Sequence, residues 1–95
     1  MASSPIYLDN FATTPCDPLV IEIMVPFFGT NYSNPSSSTH EGGRNAMAAV
    51  SRARERVSSL IGCSQREIVF TGGATESNNR VSKWISNLNS DRKKI

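Results

Sequence analysis

Apolar residues change their spacing several times along the chain, and each spacing predicts a different element. Ile6-Tyr-Leu8 is a three-residue apolar run closed by Asp9-Asn10, which predicts a short strand or extended arm. Residues 11–16, FATTPC, read as a connection. Asp17-Pro18 is a strong helix start: an Asp N-cap accepts from the free N–H groups, and proline at the first helical position loses none that was bonded. The helix runs through Leu19, Val20, Ile23 and Met24, and Pro26 ends or kinks it soon after. Its apolar residues surround most of the circumference, so it calls for burial on several sides, more than 95 residues supply.

Residues 29–43, GTNYSNPSSSTHEGG, are dense in Gly, Ser, Asn and Pro and predict a loop, of a length that in a compact domain is usually functional or mobile. From Arg44 to Ile61 the pattern becomes helical. Met47, Val50, Val57, Leu60 and Ile61 form an apolar stripe filled in by Ala46 and Ala53, and Gly62 is the natural stop. Ser64-Gln-Arg-Glu67 leads into Ile68-Val-Phe70, whose unbroken apolar character suits a buried strand of a parallel sheet. After two glycines, Val81, Trp84, Ile85 and Leu88 recur at helical spacing, predicting a helix from Thr75 or Glu76 to about Asn87. The order strand, helix, loop, helix, strand, helix begins an α/β pattern, yet two short strands are too few for the sheet it promises.

Composition narrows the picture. A compact chain of 95 residues is at most one small domain and buries roughly 60–65% of its unfolded surface. With 38% hydrophobic and 19% charged residues it is foldable but thin in core. A net charge of +2 is too small to imply a nucleic-acid or anionic-membrane partner. Arg52, Arg54 and Arg56 fan over a broad helix face and read as solvated; Arg92, Lys93 and Lys94 fall in a polar tail. Cys16 and Cys63 form no CxxC, His40 is the lone histidine, and together they offer neither a disulfide scaffold nor a metal site. MASSPIYLDN lacks a basic n-region and an apolar h-region, and no apolar run approaches bilayer length, so the expected setting is reducing and cytoplasmic.

The candidate chemistry lies in Phe70-Thr-Gly-Gly-Ala-Thr-Glu-Ser-Asn-Asn79. Gly72 and Gly73 permit positive φ and close approach, so successive N–H groups can form an anion-binding nest. Helix entry near Thr75 adds free donors, the positive end of the helix dipole and a hydroxyl. An ordinary tight turn with Thr75 as a helix cap is the other reading, and the residues leave both open. The P-loop and GxGxxG patterns are absent. Neither cysteine is oriented for catalysis, Ser36 to Ser38 have no base beside them, and no carboxylate pair stands out, so no catalytic residue is identified.

Three segments, IYLDNFATTPCDP at 6–18, NPSSSTHEGGR at 34–44 and REIVFTGGATESNN at 66–79, closely resemble the amino-terminal portion of cysteine desulfurases, pyridoxal-phosphate enzymes of the class-V aminotransferase family. The resemblance implies a partial fold-type-I aminotransferase: an arm over 1–16, the first helices and strand of the large cofactor-binding domain over 17–89 with an incomplete sheet, and a polar tail over 90–95, in all one incomplete domain. It implies that Gly73, Ala74 and Thr75 bind the phosphate of pyridoxal phosphate. The family activity it implies is sulfur removal from L-cysteine, giving alanine and an enzyme persulfide for iron-sulfur cluster assembly. The family's Schiff-base lysine and persulfide-forming cysteine lie in later motifs with no counterpart here; Lys83, Lys93 and Lys94 do not match the first, nor Cys16 and Cys63 the second. An amino-terminal desulfurase fragment, inactive alone, is therefore expected. The alternative is an interaction protein that pairs with a full-length desulfurase, and a homodimer is the family's usual assembly.

Overall fold

The computed structural model describes residues 3–88. Among them are three α-helices, α1 (Pro18–Phe28), α2 (Glu41–Ile61) and α3 (Ala74–Leu88), and a single 3-10 turn, Gln65–Glu67. The chain divides into two compact units, Met1–Arg52 and Ala53–Ile95, with the division falling inside α2.

In the first unit the arm makes a turn rather than a strand. The Asp9 carbonyl accepts from Ala12 N–H at 3.0 Å, and Ile6, Leu8 and Phe11 stand fully in solvent. Helix α1 starts as its sequence requires: Asp17 Oδ1 accepts from Leu19 N–H at 2.8 Å, with Pro18 in the first turn. Pro26 lies inside the helix, which ends two residues later, and its carbonyl accepts from Gly29 N–H at 3.3 Å and Asn31 N–H at 2.8 Å. None of the α1 residues is buried.

The loop before α2 is built from its own polar groups. Asn34 turns it, its side-chain oxygen accepting from Ser36 N–H at 2.9 Å and its carbonyl from Ser37 N–H at 3.0 Å. His40 then caps α2: its carbonyl takes Arg44 N–H at 3.2 Å and its Nδ1 takes Gly43 N–H at 3.1 Å, which puts the ring proton of that tautomer on Nε2. Gly43 is buried against the Ser37 backbone, where any Cβ would collide with the Ser37 carbonyl.

In the second unit, α2 ends in a Schellman closure. Gly62 takes φ 73° and Cys63 N–H reaches back to the Ser58 carbonyl at 3.0 Å. Ser64 opens the 3-10 turn with a capping box, its N–H donating to Glu67 Oε2 at 2.7 Å and its hydroxyl accepting from Arg66 N–H.

Two expectations change. Ile68–Phe70 is extended, with Ile68 at φ −94° and ψ 123°, but it is no strand; neither is the arm, and the described residues contain no sheet. A strand exists through its ladder, and neither segment has a neighbouring strand to pair with. The buried setting expected for Ile68–Phe70 is missing too, since Val69 is 59% and Phe70 47% exposed. Among the described residues no apolar side chain is buried at all. The polar tail expected at 90–95, with Arg92, Lys93 and Lys94, lies outside the described residues.

Candidate functional site

The glycine turn and the first turns of α3 form an open concavity of about 810 Å³, lined by Gly72, Gly73, Ala74, Thr75, Glu76, Asn79, Arg80 and Lys83. Gly73 is the last residue before the helix, its carbonyl accepting the first helical bond from Ser77 N–H at 3.1 Å. The N–H groups of Gly73, Ala74, Thr75 and Glu76 therefore have no acceptor among the described residues, as the start of any α-helix requires. The Thr75 hydroxyl has no partner there either. Gly73, Ala74 and Thr75, the residues expected to bind phosphate, all line the concavity.

The nest geometry is not the one expected. Gly72 and Gly73 both avoid positive φ; among the described residues only Gly62 adopts it. What the glycines provide is space. A Cβ on Gly73 would meet nothing within 4 Å, so the backbone there is open to close approach.

Polar side chains fix the turn from beneath. The Thr71 and Ser77 hydroxyls lie 2.7 Å apart, and both reach the Gly73 carbonyl, at 3.3 and 3.2 Å. Two hydroxyl hydrogens serve one bond between them and one to the carbonyl. Glu76 Oε2 accepts from Gly72 N–H at 2.8 Å, and its Oε1 accepts from Arg80 Nε at 3.1 Å. The Gly72 N–H, and after it the Arg80 guanidinium, hold the Glu76 carboxyl below the usual carboxylate range. Glu76 is thus an intramolecular anion that accepts one donor of the turn and leaves the next four open.

Arg80 and Lys83 follow Glu76 along the concavity. Lys83 belongs to the helix after the turn, as expected, and it also lines the concavity. At 1.5 Å per residue it sits about 13 Å along the axis from Ala74, so it adds positive field rather than a contact at the turn.

One residue escaped the sequence reading. Arg52 and Arg56 are exposed as expected of a solvated face, but Arg54 is half-buried. Its Nε donates to the Ile68 carbonyl at 3.3 Å, and its guanidinium carbon lies 5.3 Å from the centroid of the Phe70 ring. No signal in the sequence separates it from Arg52 and Arg56, which precede the same aromatic-containing segment on the same helix.

No three His, Cys, Asp or Glu side chains among the described residues come together as a metal site, and no helix among them is long and apolar enough to cross a membrane. Cys16 is exposed and Cys63 half-buried, both as free thiols.

Residues 6–95 match the family model described as Aminotransferase class-V. The chain is 54% identical over 81 residues to the mitosomal cysteine desulfurase of Encephalitozoon cuniculi, covering 85% of this chain and 19% of that protein. It is 50% identical over 90 residues to the cysteine desulfurase of Rattus norvegicus, covering 95% and 20%. It is 51% identical over 89 residues to the cysteine desulfurase IscS of Rickettsia felis, covering 94% and 22%. The chain thus spans about a fifth of the length of the curated relatives it matches.

Proposed function

The chain belongs to the Aminotransferase class-V family, and from that premise we propose that it forms the phosphate-binding corner of a cysteine desulfurase's pyridoxal phosphate site, with Gly73, Ala74 and Thr75 as the binding residues. The observation that carries this reading is the cluster of acceptor-free N–H groups from Gly73 to Glu76 beside a free Thr75 hydroxyl and an unobstructed glycine backbone. A phosphate group accepts several hydrogen bonds at once and favours the positive end of a helix dipole, so it suits these donors.

When bound, pyridoxal phosphate supplies the electron sink for chemistry on an amino-acid substrate, L-cysteine in this family. The residues here hold and orient. Ala74 and Thr75 donate backbone N–H groups, Thr75 adds its hydroxyl, and Glu76 anchors Gly72 so that the turn keeps its shape. On this reading the 95 residues have no desulfurase activity of their own, because Lys83, Lys93 and Lys94 do not match the family's cofactor-anchoring lysine, nor Cys16 and Cys63 its persulfide-forming cysteine.

Two measurements test this. Pyridoxal phosphate should bind the chain measurably better than pyridoxal, which lacks the phosphate; equal binding of the two defeats the proposal. Incubation with pyridoxal phosphate and L-cysteine should release no sulfide at an enzyme-like rate, and release at such a rate defeats the claim of inactivity.

A second reading is favoured by α1, whose Leu19, Ile23 and Phe28 are 70%, 64% and 80% exposed. Such a surface fits a chain that pairs with a full-length desulfurase. Co-purification with such a relative, lost in Ile23→Asp, supports pairing; a soluble monomer that ignores the relative refutes it.

A further inference from the structure

We propose that Arg54 is a positioning residue for the phosphate corner, tethering the extended segment Ile68–Phe70 to α2 and thereby setting the path by which the chain enters the Gly72–Gly73 turn. The inference rests on the phosphate-binding reading above and adds a residue well before the turn in sequence.

Between the 3-10 turn and α3 the backbone has little else to hold it. The N–H groups of Val69, Phe70 and Thr71 find no backbone acceptor among the described residues, and no strand runs alongside. Beyond its own local turn the segment is fastened at both ends. At its upstream end Arg54 bonds the Ile68 carbonyl at 3.3 Å and covers the Phe70 ring at 5.3 Å. At its downstream end Glu76 takes the Gly72 N–H at 2.8 Å, and the Thr71 hydroxyl lies 2.7 Å from that of Ser77. One fastening comes from α2 and the other from α3, so together they define the course of residues 68–72.

The chemistry calls for arginine in particular. A guanidinium can donate through Nε while presenting its flat face to a ring, whereas an ammonium is a compact charge with neither feature. Arg52 and Arg56, on the same helix, carry the same charge but stay in solvent. If the upstream fastening is released, Ala74, Thr75 and Glu76 keep their helical N–H directions. The Gly73 N–H belongs to the entering chain and loses its direction, while the Thr71 hydroxyl stays engaged with Ser77 and the Gly73 carbonyl. The expected cost is about one charge-assisted hydrogen bond to phosphate, or about tenfold in affinity.

The test is inorganic phosphate titrated into the ¹⁵N-labelled chain and its variants, with the phosphate dissociation constant and the ¹⁵N heteronuclear NOE of residues 69–72 as readouts. Arg54→Ala and Arg54→Lys should both weaken phosphate about tenfold and lower the NOE over 69–72, with helix content by circular dichroism unchanged. Arg52→Ala and Arg56→Ala should stay near the unaltered chain, Phe70→Leu should resemble Arg54→Ala, and Phe70→Tyr should retain binding. Wild-type affinity in Arg54→Lys, or equal losses at all three arginines, would mean that charge alone matters and overturns the assignment. Phosphate binding by the unaltered chain that persists unchanged in Arg54→Ala overturns the Arg54 role alone. No binding by the unaltered chain overturns it together with the phosphate-corner reading.

Discussion

Helix α1 and the corner from Ser64 to Arg80 are both short and largely exposed, but they are ordered by different means. At α1 the side-chain hydrogen bonds are those of the Asp17 cap and of Thr30 to the Pro26 carbonyl, and none of the helix's apolar residues is buried. In the corner, Ser64, Glu67, Thr71, Glu76, Ser77 and Arg80 each hydrogen-bond a group within six residues, and Arg54 adds a bond and a ring contact from α2. Hydrogen bonds and caps are local devices that a short chain satisfies by itself. Apolar burial is collective, with each side chain contributing about 25 cal/mol per Å² only when something covers it. The chain therefore carries a corner that local polar groups order and a helix whose apolar residues stay largely exposed.

The strongest challenge to this contrast is steric. Gly43 lies against the Ser37 backbone and Gly42 against the Ser33 side chain, whose hydroxyl can rotate away and whose Cβ, 3.2 Å from an added methyl, must give only slightly. Alanine in place of a helical glycine ordinarily stabilises by about 0.5–1 kcal/mol. Gly43→Ala should instead destabilise the start of α2 by about 1–3 kcal/mol, while Gly42→Ala stays near neutral. Amide exchange over Arg44–Ala48 distinguishes them, and equal effects would mean that the loop is not held by close backbone approach.

Next in size, Ser64→Ala removes one half of the capping box and should loosen the 3-10 turn by about 1 kcal/mol, read as faster exchange at Arg66 and Glu67. Smaller still is the effect of pH on Glu76. Its carboxyl titrates below the ordinary value, so its contribution is fully present above about pH 4.3 and is lost as pH falls through the lowered folded-state value. Acidification should release the Gly72 amide, and Glu76→Gln should abolish that dependence. The smallest effect belongs to α1. Ile23→Ser should alter the chain's own stability by less than about 0.5 kcal/mol, because Ile23 is 64% exposed and little cover is lost. A larger loss would show that α1 already has a covering surface.

Legibility in the sequence follows the same division. Asp17-Pro18, the α2 stripe with its Gly62 stop, and the helix after the glycines were all readable because caps and periodicity act within a few residues. The helix entry beside Gly73, Ala74 and Thr75 was readable for that reason too. Ile68–Phe70 has the composition of a buried strand, but pairing depends on neighbours that the segment's own residues do not supply, and it is only extended here. The loop over 29–43 looked structureless because its ordering elements, the Asn34 turn and the His40 cap, are polar and leave no periodic trace. Arg54 resembled Arg52 and Arg56 because nothing within α2 marks which arginine faces a segment 14 residues away.

The central claim is that the open donors at the head of α3 receive a phosphate. Hydrogen exchange at Gly73, Ala74, Thr75 and Glu76, measured with and without pyridoxal phosphate, tests it most directly. The account predicts that these amides slow on adding the cofactor, that pyridoxal without its phosphate leaves them unchanged, and that Thr75→Ala reduces the protection. Unchanged exchange at all four amides under saturating pyridoxal phosphate, or equal slowing by pyridoxal, would contradict it.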